Sequence, residues 1–226
     1  MKYLFFVILF SIFIIGTSKG QIHHSSIDSS TMNFVKELQF KNIDTICIYR
    51  DYCEGCGKFI TYQEDSVTYF CFHDISTYIF WLDQGKTFIS KKDNCFDYST
   101  IEIDSTSLWK IFFTYDNQIR KEKVKPFEFT VYKNRKKEVS GISVSSSRLL
   151  SFEIVVNTNI TSMHFDEFDL EKEHRNNLNI NYSHNWNLKG KKIIDELKRL
   201  VQQIENEKML NKNWKKIHLI SKKRYF

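Results

Sequence analysis

The five cysteines of the chain carry its clearest chemical signal, and all of them lie in the first half of the sequence. Two form a CxxC pair within Cys53-Glu54-Gly55-Cys56-Gly57-Lys58. Fourteen residues separate Cys56 from the next cysteine, in Cys71-Phe72-His73. Thiols in such a pattern bind a metal, exchange disulfides with another thiol or form structural bridges. The candidates for disulfide formation are Cys47, Cys53, Cys56, Cys71 and Cys95.

A zinc site is the first interpretation of this pattern. The CxxC turn aims two sulfurs the same way, and Gly57 lets backbone amides approach them. On a strand, Cys71 and His73 project to the same side. Cys53, Cys56, Cys71 and His73 therefore suit a tetrahedral Cys3His zinc site. The CxxCG turn resembles one half of a zinc ribbon, and this resemblance implies zinc as the cofactor.

Thiol–disulfide exchange is the second interpretation. A predicted strand at Ile46 to Tyr49 leads into the CxxC pair, and this arrangement resembles thioredoxin-like proteins. Pro126 also precedes a predicted strand, as a proline does in that family. The resemblance implies redox chemistry at Cys53 and Cys56. The segment from Gly57 to Thr68 has the pattern of a turn and a strand, whereas a helix would lower the pKa of the first cysteine.

Structural disulfides are the third interpretation, and the N-terminus favours them. Lys2 precedes an apolar run from Tyr3 to Ile15, and the small residues Ser18 and Gly20 follow. This pattern predicts a cleavable signal peptide over residues 1–20, with cleavage near Gly20. The run is shorter than the roughly 20 apolar residues of a membrane span. Secretion exposes thiols to an oxidising compartment, and the pairing of the five cysteines stays open.

Composition indicates a globular protein with a sheet. The chain is 42% apolar and 15% aromatic, with 20 Phe and 11 Tyr, and aromatic residues favour strands. We predict a polar, flexible leader over 21–31 and a single domain over 32–226, or two small subdomains that divide near residue 120. The net charge of +6 is too mild to indicate nucleic-acid binding.

Strand patterns dominate the middle of the sequence. Alternation begins at Thr45, and Asp83-Gln84-Gly85-Lys86 has the composition of a hairpin turn. A meander of three strands is predicted between Phe127 and Val156. The segment from Ser107 to Tyr115 fits either a buried strand or a short helix, and the polar segment from Thr161 to Asn187 predicts mainly a loop.

The clearest helix signal spans Leu188 to Leu210. Apolar residues recur there at helical spacing and form one stripe, whose members are Ile193, Ile194, Leu197, Leu200, Val201 and Ile204. We therefore expect an α+β fold, in which a mainly antiparallel sheet is covered by a C-terminal amphipathic helix.

No local motif in the sequence matches a catalytic constellation or a cofactor loop. We expect a secreted or periplasmic non-enzymatic domain that binds an unknown protein or envelope component. The alternative is a small zinc-binding or thiol-redox protein that uses the CxxC and Cys-x-His pairs. The binding hypothesis predicts an exposed apolar or aromatic patch.

Overall fold

The computed structural model describes residues 29–53, 56–64, 67–73, 75–144 and 146–214. The predicted signal peptide and most of the predicted leader lie outside these residues. None of the helices in the described ranges is long and apolar enough to cross a membrane.

The described residues form a mixed α+β structure. Its helices are α1 (Ser29–Phe40), α2 (Thr106–Ile119), α3 (Tyr182–Trp186) and α4 (Lys189–Asn206). Its first strands are β1 (Thr45–Cys53), β2 (Lys58–Glu64), β3 (Val67–His73), β4 (Ile75–Asp83), β5 (Lys86–Lys92), β6 (Phe96–Tyr98) and β7 (Ile101–Ile103). The later strands are β8 (Glu128–Lys133), β9 (Lys136–Gly141), β10 (Arg148–Val156), β11 (Asn159–Asp166), β12 (Glu173–His174), β13 (Asn177–Leu178) and β14 (Lys212–Trp214).

The main sheet has the strand order β11-β10-β1-β4-β5-β6-β14, and β7 also pairs with β5. The pairs β2–β3, β8–β9 and β12–β13 are separate two-stranded sheets. Every strand pair within the described ranges is antiparallel. The predicted α+β class, the antiparallel pairing and the C-terminal helix are confirmed.

Side chains of β1 alternate between two hydrophobic clusters, because successive residues of a strand point to opposite faces. Cys47 and Tyr49 belong to the larger cluster. Ile46 and Ile48 belong to the smaller one. The larger cluster contains the buried apolar side chains of α2 and α4, and the smaller one contains those of α1. The centre of the sheet is therefore buried on both faces.

The predicted turn at Asp83-Gln84-Gly85-Lys86 is confirmed. Asp83 pairs with Lys86 across the β4–β5 hairpin. The two residues between them are left-handed, with φ of 49° at Gln84 and 79° at Gly85. Glycine tolerates this conformation because it has no Cβ.

The predicted meander of three strands between Phe127 and Val156 was wrong, because β8 and β9 form a separate sheet while β10 pairs with β1 and β11. Of the two alternatives for the segment from Ser107 to Tyr115, the structure has the helix, since this segment lies within α2. The prediction of a mainly loop-like segment from Thr161 to Asn187 was wrong, because it contains the end of β11, a 3-10 turn at Glu167–Leu170 and α3. Strand β11 contains several polar residues, which made it hard to predict from sequence. Its alternate side chains, Thr161, Met163 and Phe165, are buried.

The observed bounds of two helices differ by a few residues from the predicted segments. Helix α1 begins at Ser29, inside the predicted leader. Helix α4 ends at Asn206 rather than at Leu210. Two residues beyond that end, Lys208 has a φ of 50°, which is incompatible with continued right-handed helix.

Asparagine amides hold the segment after β11 against the segment before β8. Asn185 is fully buried. Its Nδ2 donates to the carbonyl oxygens of Lys125 at 2.8 Å and Asp169 at 3.0 Å. Its Oδ1 accepts from the Lys125 N–H at 3.0 Å. One side chain thus satisfies three backbone groups, which explains how a polar sequence forms ordered structure there.

We expect Asn185→Ala to lower the free energy of unfolding by about 2–4 kcal/mol, because buried backbone groups lose their partners. Urea denaturation measures the change. The matched control is Asn187→Ala, since Asn187 is exposed and bonds locally to the Ser183 carbonyl. Equal losses in the two variants would contradict the assigned role of Asn185.

Candidate binding surface and cysteine pairs

The β2–β3 hairpin lies between β1 and β4 in sequence, at one end of the central ladder of the main sheet. Strands β1 and β4 pair with each other as far as Tyr52 and Ile75. The chain leaves this ladder after Tyr52 and returns to it at Ile75, and β2 and β3 pair with each other in between. The hairpin is therefore an excursion from the end of a rigid ladder.

One face of this hairpin is aromatic. Phe59 lies opposite Phe72, and Thr61 lies opposite Phe70. Directly opposed residues and residues two apart share a face of a strand pair. Phe59 is 72% exposed, Phe70 is 57% exposed and Phe72 is 44% exposed. We call Phe59, Phe70 and Phe72 the Phe face.

Gly57 shapes the base of the Phe face. The Phe59 and Phe72 rings have centroids 5.2 Å apart, a separation typical of paired aromatic rings. A Cβ added at Gly57 would overlap the Phe72 ring. Glycine at this position therefore lets the ring lie directly over the backbone.

A disulfide anchors the other face of the hairpin to the protein body. Cys71 lies between Phe70 and Phe72 and so projects from the opposite face. Its sulfur is bonded to that of Cys95, with Cα atoms 5.7 Å apart. Cys95 is only 1% exposed, and its N–H donates to Asp93 Oδ1 at 2.7 Å. The anchor point is thus buried and hydrogen-bonded.

A second disulfide closes the start of the excursion. Cys53, the last residue of β1, is bonded to Cys56, and their Cα atoms lie 5.3 Å apart. The Cys56 N–H also donates to the Cys53 carbonyl at 3.2 Å. The two bridges restrain the hairpin before β2 and along β3. The predicted presence of disulfides is confirmed.

The structure places the cysteines predicted to bind zinc in two different disulfides. Cys53 and Cys56 are bonded to each other, whereas Cys71 is bonded to Cys95. His73 ends β3, and its side chain lies outside the described part of the structure. Zinc binds thiolates rather than disulfide sulfurs. The predicted zinc site therefore concerns the reduced chain, for which it stays a prediction.

Cys47 has a free thiol in the core of the sheet. It is fully buried, and burial is the main cause that raises its pKa, with the charge of Glu153 adding to the effect. A buried neutral thiol is a poor nucleophile, because the thiolate is the reactive form. Cys47 therefore contributes packing rather than exchange chemistry.

A network of charged and phenolic groups supports the loop that carries Cys95. Lys91 is 8% exposed and forms an ion pair with Glu205 of α4 at 2.8 Å. Its ammonium lies 5.2 Å from the Tyr78 ring centroid and 5.0 Å from that of Tyr98. The Tyr98 hydroxyl donates to Asp93 Oδ2 at 2.7 Å. This network connects α4 to the loop beside the anchor.

Burial raises the pKa of two hydroxyls in this network. For Tyr78 the charge of Glu205 and a hydrogen bond to it add to the effect of burial. For Tyr98 the hydrogen bond to Asp93 is the second cause. Both phenols therefore stay protonated in the folded protein at pH values at which exposed tyrosines ionise.

Comparison with known proteins finds no matching family model, no matching curated protein and no matching solved structure. Functional inference for this chain therefore rests on its own geometry. Sequence alternation places Phe70 and Phe72 on one side of a strand, but it did not identify Phe59 as their neighbour. Cross-strand register supplies that partner, and no sequence spacing encodes it.

We expect a single thiol to be alkylated when the oxidised protein is denatured without reduction, and none in the native protein. The reactive thiol is Cys47, since the other four cysteines are paired. Mass spectrometry of the alkylated chain counts the reactive thiols, and mass spectrometry of its disulfide-linked peptides identifies the paired cysteines. Three or more reactive thiols before reduction, with a zinc ion lost on denaturation, would instead support the zinc interpretation.

We expect stability to fall as the pH rises above about 9, because the unfolded chain then loses protons that the native chain retains. The ordinary pKa values are 9.0 for Cys47 and 10.0 for Tyr78, and both are raised by folding. Stability is therefore highest below the ordinary value and declines above it. Urea denaturation across this range measures the slope. A Cys47→Ala chain should show a shallower decline, and an unchanged slope would exclude Cys47 as a cause.

Proposed function

We propose that this chain is a secreted, non-enzymatic binding domain that contacts a protein or another component of a cell envelope through the Phe face. The observation that carries the proposal is the exposure of three phenylalanines on one side of one hairpin, at 72%, 57% and 44%. Adjacent exposed aromatic side chains mark interaction sites on soluble proteins.

Burial of the Phe face against a partner is energetically favourable. Removing a large apolar side chain from water contributes roughly 1.5–3 kcal/mol. Phe59, Phe70 and Phe72 are contiguous by register, and their neighbour Thr61 is uncharged. A partner surface therefore meets no charge that it must desolvate at these positions.

Covalent anchoring supports a binding role over a merely exposed loop. Isolated two-stranded hairpins are marginally stable in water. Here the bridges Cys53–Cys56 and Cys71–Cys95 restrain the hairpin before any partner arrives. Preorganisation lowers the conformational entropy that association removes, so more of the contact energy appears as affinity.

The rest of the chain supplies the platform in this proposal. We take the amphipathic helix α4 to pack on the sheet through its buried apolar stripe, which includes Ile193, Leu197 and Leu200. The predicted signal peptide delivers the chain to an oxidising compartment, where both bridges form.

Serine substitution at Phe59, Phe70 and Phe72 together should weaken binding to envelope preparations from the source cells. We expect the dissociation constant to rise at least about tenfold, since truncated aromatic hot spots cost about 1–2 kcal/mol or more each. Binding isotherms of the purified protein measure the change. High salt in the assay screens exposed charges and isolates the apolar contribution.

The matched control replaces three exposed apolar residues outside the hairpin: Phe40→Ser, Phe113→Ser and Leu178→Ser. Their side chains are 91%, 54% and 60% exposed, so the control removes comparable apolar surface. The proposal requires this control to bind as the wild type does. Equal binding by the wild type, the Phe-face variant and the control variant would overturn the proposal, and so would equal losses of binding in the two variants.

A further inference from the structure

The β8–β9 hairpin has a tip that is strongly basic. Lys133, Arg135, Lys136 and Lys137 lie within five consecutive residues, and all four are exposed. No acidic residue occurs between Phe129 and Lys137. We call these four cations and the strands that carry them the basic hairpin.

The cations of the basic hairpin form no ion pair with the described residues. Lysines and arginines elsewhere are often paired: Lys86 with Glu102, Lys198 with Glu167 and Arg148 with Asp51. The nearest acidic residue in sequence, Glu138, forms no ion pair with them either. The charge of the hairpin tip is therefore available to an external anion.

The register of the hairpin sets two of these charges against each other. Lys133 lies directly opposite Lys136 in the antiparallel ladder. Like charges in directly opposed positions destabilise a strand pair, by an amount of the order of a few tenths of a kcal/mol to 1 kcal/mol. An anion bound between them would remove this repulsion.

In the turn of the basic hairpin, Arg135 occupies a position where glycine would be less strained. Asn134 and Arg135 connect the strands, with φ of 50° and 62°. Two-residue turns of this kind favour Asn-Gly, because both central residues are left-handed. Asn134 meets this preference, but Arg135 adopts the left-handed conformation at a cost of roughly 1–2 kcal/mol.

Of the cations on the two strands, Lys137 shares a face with apolar side chains, whereas Lys133 and Lys136 project from the other face. Tyr132 lies opposite Lys137, and Thr130 lies opposite Val139, so these four residues share a face. Tyr132 is 78% exposed and Val139 is 58% exposed. Tyrosine is suited to a membrane–water interface, where its ring contacts acyl chains and its hydroxyl stays hydrated.

We propose that the basic hairpin binds the surface of an anionic lipid bilayer. With the tip of the hairpin against the bilayer, its four cations attract phosphate and carboxylate headgroups on both sides of the tip, while Tyr132 and Val139 enter the interfacial layer on one side. The apolar pair on the face of Lys137 favours a lipid surface over a soluble polyanion, because a polyanion provides no apolar layer for these side chains. This site is separate from the Phe face and does not depend on the function proposed for that face.

Vesicle co-sedimentation of the full oxidised chain tests the proposal. Vesicles of phosphatidylcholine with phosphatidylserine should bind the protein at low salt, and vesicles of phosphatidylcholine alone should bind it weakly. The test variant replaces Lys133, Arg135, Lys136 and Lys137 with Gln. Each cation near an anionic bilayer raises partitioning about fivefold, so we expect a loss of roughly a hundredfold or more.

A charge-matched control separates the site from net charge. It replaces four exposed lysines elsewhere with Gln: Lys36, Lys41, Lys110 and Lys121. The proposal requires this control to keep most of the vesicle binding, and equal losses in both variants would overturn it. Circular dichroism and the urea midpoint establish that each variant is folded.

Two further arms identify the source of the anion. Tyr132→Ser should weaken binding to anionic vesicles severalfold and leave binding to soluble dextran sulfate unchanged. Dextran sulfate bound tightly without any vesicle binding would overturn the lipid assignment in favour of a soluble polyanion. Vesicle binding that is insensitive to Tyr132→Ser would exclude the proposed insertion of the aromatic side chain.

Discussion

The antiparallel ladder between β1 and β4 is the constraint on which the rest of the structure depends. Both strands lie in the middle of the sheet, and their alternate side chains supply both hydrophobic clusters. Ile46 and Cys47, adjacent in sequence, belong to opposite clusters and are both fully buried. A slip of one residue in this ladder would exchange the two faces and disrupt both clusters at once.

The same ladder determines where the Phe face can lie. Because Tyr52 pairs with Ile75, the chain between them must leave and re-enter at one end of the sheet. The β2–β3 hairpin lies within this segment, and the Cys71–Cys95 bridge connects it to a buried position. The bridge thus links a hairpin, an element that is marginally stable in isolation, to a buried loop position in the body of the fold.

The β2–β3 and β8–β9 hairpins expose different side chains, which favour different kinds of contact. The β2–β3 hairpin exposes uncharged aromatic surface, which gains free energy by leaving water. The β8–β9 hairpin exposes cations whose attraction to anions acts at longer range and weakens with salt. Under the two proposals, separate elements of the chain contact an apolar partner and an anionic surface.

Sequence patterns alone determined the α+β class, the antiparallel pairing, the position of the C-terminal helix and the Asp83–Lys86 turn, because these depend on local periodicity and on glycine. They also indicated that the cysteines are candidates for disulfide formation. The polar β11 strand was missed, because the partners that bury its alternate side chains are distant in sequence. The pairing of Cys71 with Cys95 and the joining of Phe59 to Phe72 were decided by tertiary structure, since each needs a register between strands that no single segment encodes.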